Sequence, residues 1–141
     1  MCLWLTVRAP ESGRRDLEAA MRMMPPSGLC VRLARPPLWP WARDRDAKLL
    51  ISKDGGCACS MLSEDADWDA EVWAMKAGLL EQLARTLSAL AEHGPKGMAV
   101  EALWQGEKPE RRENVTAEEL AALARNSRLG THTRYVLSGD V

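Results

Sequence analysis

Hydrophobic and polar positions alternate over CLWLTVRA (2–9), with Leu3, Leu5 and Val7 on one side and Trp4, Thr6 and Arg8 on the other. A period of two with β-branched and aromatic residues predicts a strand. Over 11–24 the spacing changes to three and four. Leu17, Ala20, Met21 and Met24 then share a helical face, Ser12 suits the N-cap, and Pro25-Pro26 stop the helix. Alternation returns over 28–35, with Leu29, Val31 and Leu33 against Cys30, Arg32 and Ala34. Strand, helix and strand read as a β-α-β unit with a parallel pair of strands.

PPLWPWARDRD (36–46) is a proline-tryptophan loop. AKLLISK (47–53) and CACSML (57–62) read as two strands joined at Asp54-Gly55-Gly56, a hairpin signal. The longest helix is expected over 69–93, where Val72, Met75, Leu79, Leu80, Leu83, Leu87 and Leu90 form a broad apolar stripe. Asp67, Asp69 and Glu71 suit its positive end, and Gly94-Pro95 terminate it. GMAVEALW (97–104) alternates as a strand, and QGEKPERREN (105–114) reads as a polar loop. A helix over 116–127 opens with Thr116 and Glu119 at capping-box spacing, with Gly130 suited to the turn beyond it. THTRYVL (131–137) is a final strand.

The order is β-α-β-β-β-α-β-α-β, in a chain of 141 residues without repeat or linker. It predicts a single-domain α+β fold spanning 1–141, a mixed sheet of about six strands with three helices mainly on one face. One side of the first two strands, Leu3, Leu5, Val7, Leu29, Val31 and Leu33, belongs to the core. The other carries Trp4, Arg8, Cys30 and Arg32, too polar for a core and too apolar for a plain solvated surface.

Composition changes this picture little. A hydrophobic share of 46% against 28% charged residues is that of a globular chain. No apolar run reaches a membrane span, and the start lacks the basic n-region of an export signal, so the expected compartment is the cytoplasm. There the four cysteines stay reduced. Charge is uneven: residues 1–53 hold ten Lys/Arg against five Asp/Glu, and 54–107 hold three against ten. Such asymmetry can steer an encounter with a charged partner.

Candidate chemistry is sparse. Cys57 and Cys59 share a strand face if 57–62 is extended, which suits a thiol redox pair or two ligands of a soft metal. A structural zinc site needs four ligands, and Cys2 and Cys30 are single residues in other predicted strands. Asp65, Asp67 and Asp69 match the first positions of a calcium loop, but Ala70 and Lys76 stand where glycine and glutamate are required. No phosphate-loop or dinucleotide fingerprint occurs, so no cofactor is expected. His132, predicted in the last strand beside Arg134, is the one plausible acid-base histidine. The arginines after residue 110 alternate with glutamates, which argues against nucleic acid.

Trp39 and Trp41 are the most suggestive pair, because proline stiffens their loop and tryptophan anchors binding surfaces. The sequence is therefore read as a non-enzymatic module that binds a protein, a small ligand or a second copy of itself. Its expected contacts are Trp39, Trp41, Trp4, Arg8 and Arg32, and the alternative is a thiol or metal protein centred on Cys57 and Cys59.

Overall fold

The computed structural model describes residues 3–24, 28–36, 38, 41–53, 58, 70–104 and 106–137, with the backbone alone for 70–73. At the centre of the sheet lies β1 (Leu3–Ala9), whose alternation buries Leu3, Leu5, Val7 and Ala9 on one face. It pairs antiparallel with β3 (Ala47–Ser52) on one side and β4 (Ala99–Trp104) on the other. Beyond β3 lies β2 (Cys30–Leu33), and beyond β4 lie β6 (Thr133–Leu137) and then β5 (Arg111–Val115). Every neighbouring pair is antiparallel except β5 and β6, so the six-stranded sheet is mixed.

Among the described residues the helices are α1 (Arg14–Met23), α2 (Ala70–His93) and α3 (Ala117–Arg125). Leu17 and Ala20 of α1, Leu80, Leu83, Leu87 and Leu90 of α2, and Leu120 and Ala124 of α3 form one core with the inward residues of the strands. All three helices thus cover the same sheet face, as the apolar stripes predict. Among the described residues, no helix is long and apolar enough to cross a membrane.

Several local expectations change. The strands β1 and β2 run parallel but are not neighbours, because β3 is inserted between them. Burial explains the choice: β3 offers Leu49 and Ile51, both buried, whereas the four residues of β2 are at best half-buried and suit an edge. The connection through α2 likewise steps over β1, so β1 to β4 form two interlocked split β-α-β units, the ferredoxin-like pattern. The segment 105–114, expected as a loop, contributes most of β5; only Val115 of that strand is buried, so no alternation announced it. The strand expected at 57–62 lies outside the described residues, except that Ala58 is buried in the core and its N–H donates to the Leu3 carbonyl.

Helix ends show the same mixture. Ser12 does not cap α1; a 3₁₀ turn (Glu11–Gly13) precedes it, and Gly13 takes the N-cap position. A Cβ on Gly13 would come within 2.9 Å of the Pro95 ring, so that close approach admits only glycine without a shift. Thr116 does cap α3: its Oγ1 accepts from the Glu119 N–H at 3.1 Å and donates to the Glu119 carboxylate at 3.2 Å. Beyond α3 the left-handed position is Ser127 (φ 55°), not Gly130. On α2, Met75 is 60% exposed and the adjacent Lys76 is buried, because one residue turns the helix by about 100°.

Candidate functional site

Opposite the helices, the outward residues of β1, β3, β4 and β6 form a second face. Its centre is Glu101 on β4, with a side chain only 3% exposed. Leaving a carboxylate there without cations would be costly. Arg8 of β1 supplies one, its Nη2 in an ion pair 2.9 Å from Glu101 Oε1, and Arg134 of β6 supplies the other, its Nε donating to Oε2 at 3.0 Å. Strand register makes this possible, since Glu101 stands opposite both Thr6 and Arg134, with Arg8 one pleat further along β1.

Arg8 also receives the loop that precedes β3. Its Nη1 donates to Asp46 at 3.1 Å and its Nη2 to Asp44 at 3.2 Å, while Lys48 Nζ reaches Asp44 at 2.8 Å. The Asp46 N–H donates to Asp44 Oδ1 at 3.2 Å, a local turn that holds the aspartates side by side. Burial alone would lower the Arg8 guanidinium, but Glu101 first, then Asp44 and Asp46, outweigh it and hold the group above its ordinary value. Burial would raise the Asp44 carboxyl. Its hydrogen bond from Lys48 and the charge of Arg8 outweigh that and hold it below the usual aspartate range. With its fork turned to three carboxylates, Arg8 leaves its buried Nε without a hydrogen-bond partner among the described residues.

A cleft of about 560 Å³ opens over this network, with Leu103 and Pro109 as its apolar walls and Arg43 and Lys108 beside them. Glu107 also lines it and lies 2.8 Å from Nδ1 of His132, an ion pair when the imidazole is protonated. His132 is not within the last strand as expected; it precedes β6 in a left-handed conformation (φ 64°). Its N–H donates to Ala102 and its carbonyl accepts from Glu110 and Arg111, so its backbone ties β4 to the start of β5.

Of the residues expected to bind, Arg8 is at the cleft and Trp4 lies four residues away on the same strand face. Trp41, on the loop pinned to Arg8, is 76% exposed, and Leu38 on the same loop is 89% exposed. Arg32 is exposed on β2, separated from β1 by β3, and does not line the cleft. Trp39, Cys57 and Cys59 lie outside the described residues. Among the described residues, no group of three or more side chains is placed to hold a metal ion.

Glu101, Arg134, Asp44 and Asp46 are the residues that sequence reasoning missed. One signal was present: Glu101 is the only charge in GMAVEALW, at an outward position, and a lone charge in an apolar strand demands a partner. No protein-family model, curated protein or solved structure matches this chain.

Proposed function

We propose that this chain is a binding module that receives a ligand in the cleft between the 41–46 loop and the outer sheet face. The observation that carries the reading is the clamp of Asp44 and Asp46 onto Arg8, which fastens the tryptophan loop to the sheet. Loop and face, two separate features in the sequence, then act as one surface. A loop held in place before binding loses less freedom when a ligand arrives. The cleft volume lies in the range of small-molecule sites, and Trp41, two residues before the lining Arg43, offers a large exposed ring. All the polar groups serve recognition in this reading, and no bond-making step is assigned to them.

The test is amide NMR of the full chain against a panel of small acids, amines and neutral aromatics. Shifts confined to residues 43–46, 101–109 and 134, weakened in Trp41→Ala at unchanged melting temperature, support the reading. A panel that moves no cleft amide, or a Trp41→Ala chain that unfolds, removes it.

A further inference from the structure

The cleft lining contains as many acidic as basic side chains, but the two signs are not equally committed. Three carboxylates, Asp44, Asp46 and Glu101, are answered by Arg8, Lys48 and Arg134. Glu107 faces His132. The groups left over are cations. Arg43 and Lys108 line the cleft without an ion pair to any described residue. Arg134 spends only Nε on Glu101; its two terminal nitrogens bond no described residue and are not among the buried unpartnered atoms, so they remain accessible. A guanidinium held by its Nε side presents its other donors in the geometry that suits a carboxylate or phosphate.

From this asymmetry we infer that the ligand of the cleft is a small molecule with an oxyanion group, a carboxylate or a phosphate, on an apolar body. The oxyanion lies against Arg134, Arg43 and Lys108, and the apolar body against Leu103 and Pro109. A cationic ligand would have to compete with Arg8 and Lys48 for carboxylates already bound. The inference rests on the binding reading above and adds the chemical class.

Four probes separate the two claims: inorganic phosphate, benzoate, benzamide and benzylamine, each titrated into the full chain and followed by amide NMR and calorimetry. Benzoate is expected to bind at the cleft more tightly than benzamide, with phosphate moving the same arginine and lysine amides. In Arg43→Ala/Lys108→Ala the benzoate affinity should fall roughly tenfold, as loss of charge-assisted hydrogen bonds implies. Neither side chain is ion-paired to a described residue, so the melting temperature should hold. Benzylamine or benzamide occupying the cleft in preference to benzoate overturns the oxyanion assignment and leaves the binding reading standing. An unchanged benzoate affinity in the double variant also overturns the assignment. If no probe, and no member of the wider fragment panel, moves a cleft amide, both claims fall together.

Discussion

The two faces of this sheet solve opposite problems with the same strands. Inward, Leu3, Leu5 and Val7 meet Leu49, Ile51, Val100 and the leucines of α2, and the contact is dry and non-directional. Outward, Thr6, Arg8 and Glu101 are also largely buried, but each charge there requires a particular partner at a particular atom. The inner face tolerates any shape that fills it, within limits of volume. The outer face is exacting at Glu101, because its buried carboxylate is the one that answers both Arg8 and Arg134. The comparison teaches that burial means stability on one side and specificity on the other.

The sharpest way to break the comparison is Glu101→Ala. It leaves Arg8 and Arg134 facing one another and should cost about 3–5 kcal/mol, read as a shift in denaturant midpoint at constant slope. Leu87→Ala, on the inner face, should cost about 2–5 kcal/mol through its cavity, while leaving ligand shifts at the cleft intact. If Leu87→Ala abolished binding and Glu101→Ala did not, the division of labour between the faces would be wrong.

Acid provides a smaller, graded version of the same test. Since the folded chain holds Asp44 below its ordinary range, the native state binds fewer protons than the unfolded state there, and stability rises with pH. The clamp contributes fully above the usual aspartate range and fades as pH falls through the lowered folded value. Asp44→Asn should therefore melt below the wild type near about pH 7, with the gap narrowing as the pH falls below the usual aspartate range. A constant gap across that range would place the effect elsewhere. The smallest change in stability is expected for Trp41→Ala, within about 0.5 kcal/mol because the ring is exposed, set against a clear loss of binding.

This division also decides what could be read from the chain. The inner face was legible because a period of two or of three and four is a local property: Leu3, Leu5 and Val7, the α2 leucines and the Thr116–Glu119 cap all announce themselves within a few residues. The outer network is not local. Arg8 meets Asp44 across 36 positions and Arg134 meets Glu101 across 33, and only the insertion of β3 and the placing of β6 bring them together. The edge strand β5 escaped for another reason, since four of its five residues are exposed and carry no periodic signal.

Both ends of the sheet share a property that bears on crowded solutions. One border is the four-residue β2 with Arg32 outward; the other is β5, whose sequence RRENV is polar up to its last residue. Short, charged borders are poor templates for a neighbouring strand, because an incoming backbone must bury those side chains to complete its hydrogen bonds. The molecule is thereby guarded against fibrillar growth along its hydrogen-bonding direction.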